Sequence, residues 1–357
     1  MSEIIVSFCV PVYNNAEAAE RIVRDLLNTK DARFEIVVSD DASSDETEKL
    51  LREIQDDRFR YFRNAKNLGA HKNWEHSLEL GRGRWLYLVM GRDRMHGENI
   101  TALIERLNYA DENGITYLKD RGRKREGVKV YEGIEAMSEF VTYNHPTGCI
   151  FKADLFREIP GRTRYFEISD MYPEIYVVRD LLLKGRGAQI HSGVAFGGFV
   201  TDKSAAKSNV ERGGDIRETY FAPLRRTKQF FEQIDMVMTL KEFTSEELDK
   251  FFENKYRSLL DHVSYRWRIW CSDAVQMSHY GQPVTKISLA EMIRNITKAY
   301  KDTKSHIEEN GMSSQSRVNS MKKITARSAF HLTVKTIIRA IIEPLGIWKI
   351  LHFFRNY

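Results

Sequence analysis

Three short polar clusters stand in the first hundred residues, each directly after an apolar run: Pro11-Val-Tyr-Asn14, Asp40-Asp-Ala-Ser-Ser-Asp45 and Gly91-Arg-Asp-Arg94. Amides, hydroxyls, carboxylates and guanidiniums gathered in this way can hold a polar or anionic ligand. Asp-rich turns before helices are also ordinary helix caps, and Ser43 and Asp45 suit that use equally well. The three clusters nevertheless fall at successive strand ends, and in open α/β sheets ligands bind beyond the carboxyl ends of the strands.

The elements that would position them follow from hydrophobic spacing. Ile4 to Val10 reads as a buried strand, and Ala19, Ile22, Val23, Leu26 and Leu27 then recur at helical spacing. Phe34 to Ser39 is a second strand, and Ser43 with Glu46 predicts a capping box for the next helix. Arg58 to Arg63 predicts a third strand, Leu68-Gly69 a helix start, Trp85 to Met90 a further strand and Ile100 to Asn113 a helix stopped at Gly114. Such alternation implies βαβ units and a mostly parallel sheet covered on both faces.

From about 121 to 200 the pattern is less regular. Arg121 to Gly127 predicts a loop or hairpin, Gly148 to Phe151 a short strand, Pro173 to Lys184 a helix stopped by Gly185, and Ala188 to His191 another strand. Beyond about Ile216 the pattern is helical throughout, with caps at Thr244/Glu247 and Ser288/Glu291. Two parts follow: an α/β part over 1–210 and a helical region over 211–357.

The chain has 357 residues, 42% hydrophobic and 29% charged, as expected of a globular protein with a real core. Cys9, Cys149 and Cys271 form no CxxC or Cys/His ligand pattern, which predicts reduced thiols and no structural zinc. No signal peptide and no spanning helix are expected. From Arg317 onward eight Lys or Arg stand against one acid, Glu343, a net +7 that leaves −2 for the rest of a chain totalling +5. The basic character thus belongs to the tail, which argues against nucleic acid as a partner and for an anionic surface met by the C-terminus.

Val10-Pro-Val-Tyr-Asn14, Glu35-Ile-Val-Val-Ser-Asp-Asp-Ala-Ser-Ser-Asp45, Asn67-Leu-Gly69 with Asn73, and Gly83-Arg-Trp-Leu-Tyr-Leu-Val-Met90 together resemble family 2 glycosyltransferases of the GT-A fold. The resemblance runs from about residue 4 to about 200, and its latter half is most similar to transferases of bacterial O-antigens, capsules and other surface polysaccharides. It implies a Rossmann-like, mostly parallel central sheet with helices on both faces, followed here by a helical appendage. It also implies a nucleotide-sugar donor, usually a UDP-sugar. Asp41 would accept a hydrogen bond from the base, Pro11, Tyr13 and Asn14 would line base and ribose, and Asn73 would lie near the ribose or diphosphate. Asn14 and Asn73 are equally ordinary turn and helix-start residues.

The chain departs from the family at the metal motif. Members carry two or three acids there, the last binding Mg²⁺ or Mn²⁺, whereas this chain has Asp93 at that last position with Gly91 and Arg92 where acids are expected. Three readings follow. Asp93 alone holds a metal against the donor diphosphate; Arg92 or Arg94 clamps the phosphates instead; or the domain only binds, as a scaffold. No GxGxxG follows the first strand, which leaves a dinucleotide-dependent oxidoreductase unsupported.

The resemblance also implies a catalytic base at the start of a helix that ends in Gly, for a transfer that inverts the anomeric centre. Glu174, eleven residues before Gly185 and preceded by Pro173, matches it. A carboxylate there is favoured by the helix dipole for stability alone. Asp170 competes for the role. Thr147-Gly148-Cys149 resembles the strand beneath the acceptor sugar, His191 lies where relatives place a phosphate or acceptor contact, and Lys203, Lys207 and Ser208 fall in a stretch suited to a lid. Trp74 and Trp85 are expected in the core.

Ala329 to Ile342 interleaves Phe330, Val334, Ile337, Ile338, Ile341 and Ile342 with Lys335 and Arg339, and an aromatic, basic segment follows Pro344. Over about 320–357 this fits helices in a membrane interface, or equally helices packed on the protein or in an oligomer contact. A lipid-linked glycan acceptor at the cytoplasmic face of the inner membrane would suit the first reading.

Overall fold

The computed structural model describes residues 3–91, 93–122, 127–143, 146–168, 172–196, 222–279 and 282–342. The chain divides into two compact units, Met1–Val200 and Thr201–Tyr357. Arg92, Asp170, and Lys203, Lys207 and Ser208, which were expected in a lid, lie outside the described residues, as does everything after Ile342.

The N-terminal unit begins β1 (Val6–Val12), α1 (Ala16–Leu27), β2 (Phe34–Asp40), α2 (Thr47–Arg52), β3 (Phe59–Arg63), α3 (Ala70–Leu80) and β4 (Trp85–Leu88). It continues with β5 (Arg94–Met95), a short 3₁₀ turn, α4 (Ile100–Glu112), β6 (Ile115–Asp120), β7 (Val128–Tyr131), α5 (Gly133–Phe140) and β8 (Cys149–Lys152). After α6 (Ala153–Arg157) and α7 (Thr163–Ile168), α8 (Glu174–Lys184), β9 (Arg186–Ile190) and β10 (Ala195–Phe196) complete it.

Eight strands form one sheet in the order β3-β2-β1-β4-β8-β6-β9-β7. β3, β2, β1 and β4 run parallel, β8 is antiparallel to both β4 and β6, and β9 is parallel to β6. β1, β2 and β4 are buried along their whole length, as strands covered on both faces must be, which is why they read as unbroken apolar runs. On α1, Ala18, Ala19, Ile22, Val23 and Leu26 are buried, while Glu20 and Arg24 pair on the outer face at 2.7 Å. Burying each of the larger of these side chains contributes about 1.5–3 kcal/mol.

Three local expectations change. The strands flanking residues 121–127 do not pair with each other as a hairpin, because β7 pairs with β9 and not with β6; residues 123–126 themselves lie outside the described residues. Ser43 does not cap α2: its hydroxyl accepts from the Asn14 backbone amide at 2.9 Å, and Asp45 instead accepts from the Thr47 amide at 3.0 Å. Trp85 is fully buried as expected, but Trp74 is only half-buried, edge-on to His71.

The second unit is helical: α9 (Pro223–Met238), α10 (Ser245–Asp261), a π-helical segment at His262–Arg266, α11 (Trp267–Ser272), α12 (Ala274–His279), α13 (Leu289–Glu309) and α14 (Gln315–Ile342). The Thr244/Glu247 capping box is present in full, and the Ser288 side chain accepts from the Glu291 amide. Phe230, Phe252 and Tyr256 pack ring to ring, and Tyr256 shares a 2.8 Å hydrogen bond with Thr325 of α14. The π-helical segment leaves the Val263 carbonyl to the side chain of Asn295, which donates to it at 3.0 Å.

Candidate active site

The carboxyl ends of β1, β2 and β4 bring the three polar clusters side by side, because Val12 lies in register with Asp40 and Cys9 with Leu88. Their loops are then tied to one another. Asn14, in the left-handed region at φ 48°, accepts from the Ser44 amide at 2.7 Å, and Asn15 donates to the Gly91 carbonyl at 3.1 Å. Tyr13 is 52% exposed at this edge and offers a free-standing ring, while Pro11 is buried within β1.

The two aspartates after β2 are both committed to the protein. Burial alone would push Asp40 up, but hydrogen bonds from Ser43, Tyr61 and Arg63 hold it below its ordinary value. Asp41, 2% exposed, accepts from the Leu68 amide at 2.7 Å, the Gly69 amide at 3.0 Å and Asn64 Nδ2 at 3.0 Å. Asp41 is thus the anchor that folds the 64–69 turn onto β2 and begins α3. A carboxylate with three partners still has one lone-pair direction for a fourth donor. We expect Asp41→Ala to cost about 2–4 kcal/mol, because it strands buried amides; thermal unfolding measures it, with Asp41→Asn intermediate.

Asn73 is equally engaged. Its Oδ1 accepts from Ser39 Oγ at 2.6 Å and Asn64 Nδ2 at 3.1 Å, and its Nδ2 donates to the Ser39 carbonyl at 2.9 Å. With 2% exposure, it knits α3 to the end of β2.

On the loop after β4, Gly91 has a steric reason to be glycine. A Cβ there would sit 2.9 Å from Val12 Cγ1 and 3.1 Å from the Pro11 carbonyl oxygen. Asp93 is 2% exposed and receives a hydrogen bond from the Thr147 hydroxyl, which itself accepts from the Met90 amide at 2.9 Å. Arg94 is placed elsewhere: its Nε lies 3.3 Å from Asp25, near the far end of α1. Nine residues from the helix start correspond to about 13 Å of rise, so its guanidinium is not at the strand-end cluster.

Across the sheet, Gly148 takes φ 87°, and any Cβ there would meet the Asp120 carbonyl oxygen at 2.3 Å. Its amide donates to Leu88 and its carbonyl accepts from Asp120, so the start of β8 is clamped between β4 and β6. The Asp120 carboxylate accepts from Tyr87 at 2.9 Å, from the Gly122 amide at 2.9 Å and from the amide and hydroxyl of Ser192. This network holds the 191–194 segment at the same edge, where His191 Nδ1 is buried with no hydrogen-bond partner among the described residues.

Glu174 begins α8 at 3% exposure, and its Oε2 is buried with no hydrogen-bond partner among the described residues. Burial pushes its carboxyl up to about 8, against the opposing pull of Lys119. A carboxyl of that strength can exchange a proton near neutral pH.

Sequence reasoning missed Lys119, Asp120 and Ser192 as site residues. Lys119 had a signal: it interrupts the apolar run Ile115 to Leu118 within a buried strand. Asp120 and Ser192 are 72 positions apart, and no local pattern joins them.

As to a metal, no three His, Cys, Asp or Glu side chains gather into a ligand cage among the described residues. A single buried carboxylate at the strand edge, Asp93, nonetheless fits the way Mg²⁺ and Mn²⁺ share one protein carboxylate with substrate phosphates.

An eight-stranded mixed sheet whose β3-β2-β1-β4 half is parallel, with polar loops at its carboxyl edge, is the GT-A fold. A mannosyltransferase of Pyrobaculum calidifontis solved with GDP-Man and Mn²⁺ shares it, with a TM-score of 0.50 over 91% of this chain and 88% of that one at 13% identity. The sequence model of Glycosyl transferase family 2 matches residues 7–159, within the N-terminal unit. The abequosyltransferase RfbV of Salmonella typhimurium is 31% identical over 134 residues, 36% of this chain and 39% of that protein. The GalNAc(5)-diNAcBac-PP-undecaprenol beta-1,3-glucosyltransferase of Campylobacter jejuni is 28% identical over 106 residues, 29% of this chain and 34% of its own. The chain therefore spans less than half the length of either curated relative.

Proposed function

We propose that the protein is an inverting glycosyltransferase of surface polysaccharide biosynthesis. It moves a sugar from a nucleoside-diphosphate donor, in the first instance a UDP-sugar, to a hydroxyl of a lipid-linked glycan. The observation that supports this is a pair of buried carboxylates linked through Thr147 and Lys119: Asp93, held by the Thr147 hydroxyl, and Glu174, with an oxygen that no group among the described residues satisfies.

The chemistry balances with these groups. The acceptor oxygen attacks the anomeric carbon, the bond from that carbon to the diphosphate oxygen breaks, and the nucleotide leaves with the electron pair. Glu174 takes the acceptor's proton. Tyr13 and Asn14 face the base and ribose, while Asp41 and Asn73 hold the loops that shape that pocket; Asp41 has one acceptor direction left for the base. Gly148, His191 and the segment pinned by Asp120 form the acceptor floor. A divalent cation held by Asp93 and the donor phosphates would offset the leaving group's charge. Asp170 remains the alternative base.

The scaffold reading rested on the missing acids before Asp93. Packing explains one of them, since a side chain at 91 would collide with Pro11 and Val12. The relatives' names favour an enzyme as well. Anomeric analysis of the product by NMR, with a panel of nucleotide sugars and lipid-linked oligosaccharides, tests the proposal. Inversion supports it; retention, or no consumption of any donor, refutes it.

The setting follows from α14. Met321, Ile324 and Leu332 are buried on its packed side, whereas Phe330, Ile337 and Ile338 are 66%, 52% and 44% exposed. Lys322, Lys323 and Arg327 are exposed beside them. A helix apolar on two sides with basic flanks suits an anionic lipid surface. No helix among the described residues is long and apolar enough to cross a membrane. We expect the protein to co-sediment with vesicles rich in anionic lipid and to lose that binding at least about tenfold in a Phe330→Glu/Ile337→Glu double variant. High salt should weaken it in parallel, by screening the lysines and arginines.

A further inference from the structure

Lysine is almost never fully buried without a partner that justifies it. Lys119 is 4% exposed, on β6 directly opposite Cys149 of β8. Its Nζ donates to the Thr147 carbonyl at 2.8 Å and lies 3.4 Å from Cys149 Sγ. Thr147 is the residue whose hydroxyl holds Asp93. On its other side the lysine's charge acts on Glu174. One side chain therefore touches the segment that fixes the donor-side carboxylate and faces the acceptor-side one. Cys149 does not account for its burial, since burial itself pushes that thiol up and keeps it neutral.

We propose that Lys119 is a positioning residue for sugar transfer, bracing the Thr147–Gly148 start of β8 against the donor loop and presenting the positive charge that the Glu174 carboxylate faces. This rests on the reading of Glu174 as the base. The surroundings of Glu174 leave the lysine as the one charged group acting on it among the described residues. β6 contributes Lys119 and Tyr117, and β8 contributes Cys149, the phenol and thiol both pushed up by burial. α5, α6, α7 and β9, which also pack on α8, contribute none. Desolvation penalises the ionised carboxylate, and the ammonium offsets part of that penalty without donating a proton.

The test uses the full chain with Lys119→Gln, which keeps a donor for the Thr147 carbonyl but no charge, and Lys119→Arg, which keeps the charge. Each is measured for kcat/KM against pH, for donor and acceptor KM, and for thermal unfolding. In K119Q the rising limb of kcat/KM should move upward by about one pH unit, with donor KM changing less than kcat. K119R should leave the limb in place. Glu174→Gln serves as the reference and should lose the limb altogether. A limb lost in E174Q but unmoved in K119Q, with activity falling only in step with stability, overturns the proposal and spares the assignment of the base. A limb that survives in E174Q overturns that assignment, and the proposal with it. If K119Q does not accumulate folded, Lys119→Met carries the same comparison.

Discussion

Glu174→Gln is expected to lower transfer by about 10²–10⁴-fold, the usual worth of a positioned general base, while nucleotide binding stays within about twofold of wild type. The isosteric amide keeps the start of α8 intact but cannot take a proton from the acceptor. The same substitution has an opposite effect on stability. Burial raises the carboxyl from an ordinary 4.5 to about 8 in the folded protein. Below pH 4.5 both folded and unfolded chains hold the proton, so the group costs nothing. Between that value and about 8 the unfolded chain ionises and the folded one resists, so wild type loses stability as pH rises. The loss is on the order of 4 kcal/mol once complete. Glu174→Gln should therefore melt higher than wild type at pH 8–9 and equally near pH 4. Activity in the wild type should rise with pH through the same region. A purely structural Glu174 would give the same stability effect and no change in the pH–rate profile.

Asp93→Ala is expected to reduce kcat/KM by about 10²–10³-fold, the scale on which removing a group that manages transition-state charge is felt. The carboxylate is buried and held by Thr147, so its orientation is set before any donor arrives. Titrating activity against Mn²⁺ and Mg²⁺ provides the check: wild type should respond to the cation, and Asp93→Ala should respond neither to it nor to excess donor. Undiminished turnover in Asp93→Ala would move the charge-handling role to another group. Arg94 is not a candidate for it, because its guanidinium is held beside Asp25 on the flank of α1.

Much of the β1–β4 half of the sheet was legible in the sequence, because it is local. Each strand from Ile4 to Met90 is a short apolar run ended by its own polar cluster, and the sheet only had to align those ends. The start of α8 was legible for the same reason, since Pro173, Glu174 and Gly185 bracket one helix. What could not be read was how far each polar side chain would turn inward. Asn73 and Asp41 look alike in the sequence as loop-end polar residues, yet both serve as internal anchors, a fate set by Ser39, Asn64, Leu68 and Gly69 together. The half built on β6, β8 and β9 was the hardest to read. It depends on contacts such as Asp120 with Ser192 and Thr147 with Asp93, which join distant segments through a sheet in which β8 lies between β4 and β6, and β9 between β6 and β7. Gly91 taught the reverse lesson: read as a lost acid, it is a packing requirement of β1.

The most direct test of the account is calorimetric titration of the wild-type protein with UDP, with and without Mn²⁺. The account predicts binding that Mn²⁺ strengthens and that competes with a UDP-sugar. If neither UDP nor any other nucleoside diphosphate binds in either condition, the strand-end site is not a donor site, and the chain uses the GT-A fold for something other than sugar transfer.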